Sequence, residues 1–204
     1  MLALTTYLLK SLIRISAFFS GMLIILFSGT SLYSYGQDFT NKGTEFYLCF
    51  PSHVSPGGSF LPNMSLFITS DQATTGKVII PNTSTPIAFS LTPAQRIAEI
   101  SIPYSSAYIS EAETGQVINK GIQVVVDPGQ PPVVVYAHVF VSARSAASLI
   151  LPTPVLGKRY ITANCYQQSN DLSSRSQFQV VAVEDNTNIR IIPRLNGIPG
   201  SEIL

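Results

Sequence analysis

From residue 37 onward, the chain alternates short runs of β-branched and aromatic residues with clusters of Gly, Pro, Asn and Asp. No segment in that stretch repeats apolar residues at the 3.6-residue spacing of an amphipathic helix. Short runs of this kind, separated at regular intervals by turn residues, are typical of β structure. The sequence therefore predicts an all-β fold, specifically an antiparallel β-sandwich.

The predicted strands are segments rich in β-branched and aromatic residues that end at turn residues. They span residues 44–50, 64–69, 77–80, 87–91, 96–102, 121–126, 133–141, 147–151, 160–166, 177–183 and 188–192. Turns are predicted at SPGG (55–58), DPG (127–129) and NG (196–197), where Pro and Gly supply the φ values that chain reversal requires. The apolar run PVVVYA at 132–137 predicts a central strand covered on both faces.

A weak internal repeat predicts two related β lobes. FITSD (67–71) leads through a turn to KVIIP (77–81), and VVAVE (180–184) leads through DNT to IRIIP (189–193). Both patterns indicate a strand, an acidic turn and a second strand, so we expect successive lobes at about 37–145 and 146–204. Far fewer residues follow the second copy than the first. The second lobe is therefore expected to be incomplete, either because the chain is a fragment or because a partner supplies the missing edge.

The N-terminal segment has the features of a secretory signal peptide. Lys10 and Arg14 precede an apolar stretch at 15–27, and small and polar residues follow it. Ser34 and Gly36 suit the small positions before a cleavage site, which predicts cleavage after Gly36 and a secreted or cell-surface chain of residues 37–204. The alternative is an uncleaved helix over 15–35, which is just long enough to span a membrane.

Charge and cysteine content limit the classes of protein to which this chain can belong. Twelve basic residues face 11 acidic ones, and 46% of the residues are apolar. This balance argues against disorder and against nucleic-acid binding, which needs a cationic surface. The mature chain contains two cysteines, Cys49 and Cys165. One disulfide between them is feasible in an oxidising compartment, and the alternative is that Cys49 is a small buried apolar residue.

The two histidines give no pattern typical of a catalytic site. Neither His53 nor His138 lies in a G-x-S-x-G or H-E-x-x-H motif. His53 belongs to a loop, whereas His138 shares one strand face with Tyr136 and Phe140 by the period of two. A structural histidine is therefore the favoured interpretation of both.

The carboxylates give no typical metal-binding pattern either. The close acidic pairs are Glu111 with Glu113 and Glu184 with Asp185, and both lie near turns. The chain lacks a D-x-[DN]-x-[DN]-G run, although Glu184, Asp185 and Asn186 could contribute to an irregular calcium site. The alternative is a hairpin in which Asp185 and Asn186 cap their own backbone. We therefore predict no catalytic, cofactor or metal residues.

Four groups of motifs occur in order along the mature chain. They are KGTEFYLCFP at 42–51; NKGIQV at 119–124 with PVVVYA at 132–137; LPT at 151–153 with LGKRY at 156–160; and FQVVAVEDNT at 178–187. They resemble, in the same order, the G-T-[DE]-F-[WY]-x-x-F start, the K-G-I-x-V and P-V-x-V-Y-A strands, the L-P…L-G-x-x-Y segment and the F-x-I-V-A-x-E-D-N-T hairpin of the N-terminal domain of IgGFc-binding proteins. Cys49 departs from that pattern, because a small apolar residue is usual there.

The resemblance implies an extracellular, β-rich module, often of bacterial origin, with no catalytic residue set. We therefore expect a non-enzymatic module for adhesion to, or recognition of, extracellular proteins or glycans, with no cofactor and no nucleic-acid partner. Membrane contact is expected only through the transient signal peptide. An alternative is a structural component of a secreted assembly that self-associates through the incomplete second lobe. The least favoured alternative is an extracellular hydrolase, which would depend on His138.

Overall fold

The computed structural model describes residues 40–53, 61–141, 144–163, 176–195 and 198–200. The predicted signal peptide with its cleavage point after Gly36, the predicted turns at 55–58 and 196–197, and Cys165 lie outside these residues. All described residues belong to one compact unit. Among them, no helix is both long enough and apolar enough to span a membrane.

The described secondary structure consists almost wholly of strands. In chain order they are β1 (Glu45–Leu48), β2 (Asn63–Thr69), β3 (Thr74–Ile79), β4 (Ile87–Leu91), β5 (Ile97–Ile102), β6 (Ile122–Val126), β7 (Val134–Val141), β8 (Arg144–Ile150), β9 (Arg194–Leu195) and β10 (Ile198–Pro199). A one-turn helix, α1 (Tyr104–Ala107), follows β5, and 3₁₀ turns lie at Glu111–Glu113 and Thr153–Val155. The first eight strands lie close to the predicted positions.

Strands β1 to β8 form two four-stranded antiparallel sheets. Sheet I has the order β1-β6-β3-β4, and sheet II has the order β5-β2-β7-β8. The sheets share one apolar core, so the predicted antiparallel β-sandwich is confirmed. Strands β9 and β10 pair only with each other among the described strands.

The core forms because alternate residues on each strand point to opposite faces of a sheet. Met64, Leu66 and Ile68 on β2 are buried, and the same alternation buries Ile122 and Val124 on β6. Each fully buried aliphatic side chain of this size contributes about 1.5–3 kcal/mol relative to an exposed one. The alternation visible in the sequence therefore fixes which face of each strand turns inward.

Strand β7 contains most of the predicted central strand. It lies between β2 and β8 within sheet II, so its central position is confirmed. Val134 and Val135 are both buried, but Tyr136 is exposed and the usual alternation holds from there. Coverage on both faces is therefore limited to the beginning of the run.

The internal repeat does not produce two equivalent hairpins. Strand β2 belongs to sheet II and β3 to sheet I, so the first copy crosses between the sheets. In the second copy, Asp185 and Asn186 form a turn, but residues 176–193 contain no strand and only a single β-bridge residue, Ile191. The predicted strands at 177–183 and 188–192 are therefore wrong, and residues 160–163 are also irregular. The physical reason is that these residues have no neighbouring strand in a ladder among the described residues, and extended backbone is stabilised mainly by pairing and burial.

The boundary proposed between the lobes, at residues 145 and 146, falls inside β8. This strand pairs with β7 from Arg144 to Ile150. The chain then returns to sheet I, where Pro152 forms a β-bridge with Phe46 on β1. Gly43 permits this approach, because a Cβ at that position would overlap the Pro152 ring. The division into two lobes stays a prediction.

Candidate functional site

The outer face of sheet II carries a group of half-buried and exposed apolar and aromatic side chains. The register aligns Phe67 on β2 with Tyr136 on β7, and Tyr136 with Leu149 on β8. His138 and Phe140 follow Tyr136 on the same face, as the period of two predicts. We call this set the aromatic face; it comprises Phe67, Tyr136, His138, Phe140 and Leu149.

The rings of the aromatic face lie within contact range of one another. The His138 ring centroid lies 6.1 Å from that of Phe67 and 6.5 Å from that of Phe140, with interplanar angles of 57° and 15°. Tyr136 and Phe140 are each 41% exposed, and Leu149 is 39% exposed. Apolar residues scattered singly over a surface need no explanation, whereas a contiguous exposed apolar group is a candidate interaction site.

Polar residues border the aromatic face. On β5, Glu99 lies opposite Phe67, and its carboxylate accepts a hydrogen bond from Ser65 Oγ at 3.1 Å. Ile97, at the start of the same strand, is also exposed. An apolar centre with a polar border is the usual anatomy of a protein interface.

The side chain of His138 packs against aromatic residues of this face. Its ring contacts are with Phe67 and Phe140, and the residues opposite it in the sheet are Ser65 and Ala147. A general base would need a carboxylate or carbonyl to orient it and a nucleophile within hydrogen-bond reach. The geometry therefore fits a half-buried contact residue.

The outer face of sheet I is organised differently, by a polar network. Gln123 Nε2 donates to Glu45 Oε1 and to the Tyr47 hydroxyl, both at 2.7 Å. Tyr47 also donates to Glu45 Oε1 at 3.1 Å, and Thr153 Oγ1 donates to Glu45 Oε2 at 3.2 Å. Burial, together with the Glu45 carboxylate, raises the pKa of Tyr47. These polar groups are hydrogen-bonded to one another, so fewer side chains on this face than on the aromatic face are left to contact a partner.

His53 lies at one end of the sandwich, where loops pack against Tyr108. Its backbone N–H donates to the Tyr108 hydroxyl at 3.3 Å, and Ser52 Oγ lies 3.4 Å from the same hydroxyl. Its Nε2 is buried without a hydrogen-bond partner among the described residues. Tyr108 stacks on Tyr104 at a centroid distance of 4.5 Å. The two histidines therefore lie in separate regions, as their sequence settings predicted.

Cys49 is a half-buried free thiol that donates a hydrogen bond to Gln179 Oε1 at 2.7 Å. Burial raises the pKa of this thiol to about 11. Since the thiolate is the nucleophile and the metal ligand, the environment suppresses both roles at neutral pH. The thiol contributes packing and one contact to the segment that contains Gln179.

In the first acidic pair Glu113 has a local structural role, and the second pair lies at a turn. Glu113 forms a capping box with Ser110 and an ion pair with Lys120 at 2.6 Å. The Lys120 ammonium, followed by the Ser110 donors, lowers the pKa of Glu113 to about 2. At the second pair, Thr187 Oγ1 donates to the Glu184 carbonyl at 2.6 Å, across a turn with Asn186 at φ 58°. Within the described ranges, no three His, Cys, Asp or Glu side chains group in a way that could hold a metal ion.

Sequence reasoning placed Tyr136, His138 and Phe140 on one face but missed Phe67 and Leu149. The alternation of β2 gives a signal for Phe67, because its neighbours Leu66 and Ile68 turn inward. No local pattern predicts that β2 and β8 flank β7. The aromatic face therefore becomes visible only when strand order and register are known.

A comparison with protein families gives one match. Residues 146–203 match the family model described as IgGFc binding protein. The match covers less than half of the chain, and it begins inside β8. It contains the motif groups at 151–160 and 178–187, whereas those at 42–51, 119–124 and 132–137 precede it. No curated protein and no solved structure matches the chain.

Proposed function

We propose that this chain is a non-enzymatic extracellular module that recognises a protein through the aromatic face of sheet II. The observation that carries the proposal is the in-register aromatic face, in which Tyr136, Phe140 and Leu149 are exposed and Phe67 and His138 are half-buried. Rigid aromatic side chains bury large areas at a low cost in conformational entropy, which is why they dominate binding energy at interfaces. The match of residues 146–203 to the IgGFc binding protein model supports a binding role.

Secretion and cell-surface location belong to the same proposal. The basic and apolar pattern of the N-terminal segment supports export with cleavage after Gly36. The resemblance to a family with many secreted bacterial members supports it independently.

A direct binding experiment tests the role of the aromatic face. The chain is immobilised and exposed to purified mucins, immunoglobulin Fc fragments, other extracellular proteins and a glycan array. Replacing Tyr136 and Phe140 together by Ser should weaken binding to a protein ligand about tenfold or more, because exposed aromatic anchors contribute strongly. The matched control is Val117→Ser, which removes a fully exposed apolar side chain from a loop.

Three results would contradict the proposal. The first is binding that the double variant leaves unchanged, and the second is binding that Val117→Ser weakens equally. The third is failure of every protein to bind, with or without binding to glycans. Circular dichroism of both variants must match that of the wild type, so that loss of binding reflects the surface and not the fold.

A second candidate function is a structural role in a secreted assembly. The observation that favours it is the exposure of apolar residues after Pro152, among them Tyr160, Ile161, Phe178 and Val180. In such an assembly another chain would cover these residues. Hydrogen exchange should then show fast backbone exchange in residues 156–163 and 176–193 of the isolated chain and protection in native secreted material, and equal exchange in both would argue against this candidate.

A further inference from the structure

Residues 156–163, with the sequence LGKRYITA, follow the sandwich as an exposed segment without helix or strand. The last anchor before them is the 3₁₀ turn Thr153–Val155, where Thr153 Oγ1 donates to Glu45 Oε2 and the Leu156 N–H donates to the Thr153 carbonyl. Within the described residues, no backbone–backbone hydrogen bond involves residues 157–163. Proteases cut folded proteins at exposed irregular segments of this kind, because they need accessible, unpaired backbone. Residues 156–163 meet that requirement without local unfolding.

This segment contains Lys158 and Arg159, the only adjacent pair of basic residues in the sequence. Both are exposed, and neither forms an ion pair with another described residue. The sequence has no acidic residue between Asp127 and Asp171, so no neighbouring carboxylate along the chain offsets the two charges. The L-G-x-x-Y pattern leaves both positions unspecified, so the family resemblance does not account for the basic pair. Lys158 and Arg159 therefore concentrate positive charge on accessible backbone.

We propose that the peptide bond between Arg159 and Tyr160 is a processing site for a secreted trypsin-like endoprotease. Such an enzyme binds the basic side chain before the bond in a pocket that contains a carboxylate, and it binds the neighbouring residues as an extended strand. Arg159 provides the cation, and residues 156–163 provide exposed backbone on both sides of the bond. The reaction is a hydrolysis. One water molecule is consumed, the C–N bond breaks, and the products are the Arg159 carboxylate and the Tyr160 ammonium group.

Other basic residues in the described part of the chain lie in or beside paired backbone. Lys77 belongs to β3 and Arg144 to β8, so a protease would first have to separate each strand from its neighbours. Arg96 directly precedes β5, and Arg190 precedes Ile191, which forms a β-bridge. Cleavage of paired backbone requires local opening, and the free energy of opening lowers the rate. The Arg159–Tyr160 bond should therefore be cut before these sites.

Cleavage at this bond leaves the sandwich whole. Strands β1 to β8 and the entire aromatic face precede Arg159 in the chain. Among the residues after the bond, Gln179 accepts a hydrogen bond from Cys49 Sγ at 2.7 Å, and Gln177 donates to the Ser52 carbonyl. Cleavage therefore cuts the covalent link between the aromatic face and the residues that follow the sandwich. In an assembly where another chain covers those later residues, the cut would release the recognition module.

Limited digestion of the full chain with trypsin, followed over time by intact-mass spectrometry, tests the site. The first pair of products should meet at the Arg159–Tyr160 bond. Replacing Lys158 and Arg159 together by Gln should slow cleavage in residues 156–163 about 100-fold or more, because the acidic pocket then has no cation to pair with. Both residues are replaced because trypsin can also cut after Lys158. Combining Lys158→Gln with Arg159→Lys should restore cleavage before Tyr160, since one cation is retained.

Arg190→Gln is the matched control, because it removes an exposed basic residue from another irregular part of the chain. It should be cut before Tyr160 at the wild-type rate. A first cut elsewhere would overturn the proposal, as would wild-type cleavage of the double Gln variant or equal slowing in Arg190→Gln. The cleaved wild type should keep its dichroism spectrum and a cooperative unfolding transition, and loss of either would show that the sandwich needs the intact bond.

The processing role rests on the proposed export of the chain, whereas the digestion in solution requires neither export nor ligand binding. Native secreted material should contain a fragment that begins at Tyr160, identified by mass spectrometry. An exported chain that stays intact would overturn the processing role alone. A chain that is not exported would contradict the proposed function as well. Binding by the aromatic face is reported separately by the Tyr136 and Phe140 substitutions.

Discussion

The sandwich and the C-terminal segment, defined as residues 156–163 and 176–193, are built from similar residues. The sandwich residues form strands with one buried face, whereas the C-terminal segment is irregular and mostly exposed. Val124 on β6 is 0% exposed, whereas Val180 in the run FQVVAV is 52% exposed. Both stand among β-branched and apolar neighbours. The difference is that β6 has paired strands on both sides and an opposing sheet, and the C-terminal segment has neither among the described residues. Strand-forming composition is therefore not sufficient for a strand; a partner must satisfy its backbone and a second layer must cover its face.

The largest expected difference between the two regions is in the free energy of unfolding that is lost when an apolar side chain is truncated. Leu66→Ala creates a cavity in the core, where Leu66 is fully buried, and should lower the free energy of unfolding by about 2–5 kcal/mol. Val180→Ala removes exposed surface and should change it by less than about 0.5 kcal/mol. Urea denaturation measures both. Equal losses in the two variants would mean that the segment packs as tightly as the sandwich.

A smaller difference in the free energy of unfolding should come from adding one methyl group to a glycine in each region. A Cβ on Gly76 in β3 would overlap the Val125 carbonyl oxygen and lie 2.5 Å from Phe89 Cζ. Gly76→Ala should therefore destabilise the fold by about 1–3 kcal/mol. Gly157→Ala in the C-terminal segment meets no described atom closer than 3.9 Å and should be nearly neutral. A stable Gly76→Ala protein would show that sheet I can adjust at this position.

Lowering the pH should reduce the free energy of unfolding of the sandwich, because Glu113 becomes protonated. Its pKa in the folded chain is about 2, below the usual 4.5, so its ion pair with Lys120 stabilises the fold above about pH 4.5. That contribution is lost as the pH falls from about 4.5 towards 2, because the unfolded state then binds the proton more readily. Glu113→Gln should show a flatter loss of stability over this range in denaturation at several pH values. Glu111→Gln, on the same exposed turn, should retain the wild-type slope.

A small change in the free energy of unfolding is expected at the contact between the two regions. Gln179→Ala removes the acceptor of the Cys49 hydrogen bond and should cost about 1 kcal/mol or less. In a Cys165→Ser background, it should also increase the rate at which iodoacetamide alkylates Cys49. Gln177→Ala, which removes a neighbouring contact to the Ser52 carbonyl, should leave the alkylation rate closer to that of the wild type. An unchanged rate in Gln179→Ala would show that this contact does not shield the thiol.

The two-residue apolar periodicity of the sequence predicted most strands of the sandwich but only part of the aromatic face. The strand predicted at 87–91 coincides with β4, because Leu91 and Phe89 alternate with exposed residues and turns bound the run. The same rule failed at 177–183, where no described strand lies alongside. For the site, alternation placed Tyr136, His138 and Phe140 together, since that relation is local to one strand. The addition of Phe67 and Leu149 could not be predicted, because it depends on pairing between residues far apart in sequence.

By itself, the sequence determined that residues of the sandwich prefer extended backbone, that a turn follows β6 at residues 127–129, and which side of most sandwich strands is apolar. These properties depend on side-chain branching and on a two-residue period, both of which act over a few residues. Tertiary structure alone decided that β2 joins β5 and β7, that Pro152 returns to β1, and that β8 pairs with β7 alone among the described strands. Those outcomes depend on hydrogen bonds and burial between distant segments, and the local preference of a strand does not specify its neighbour.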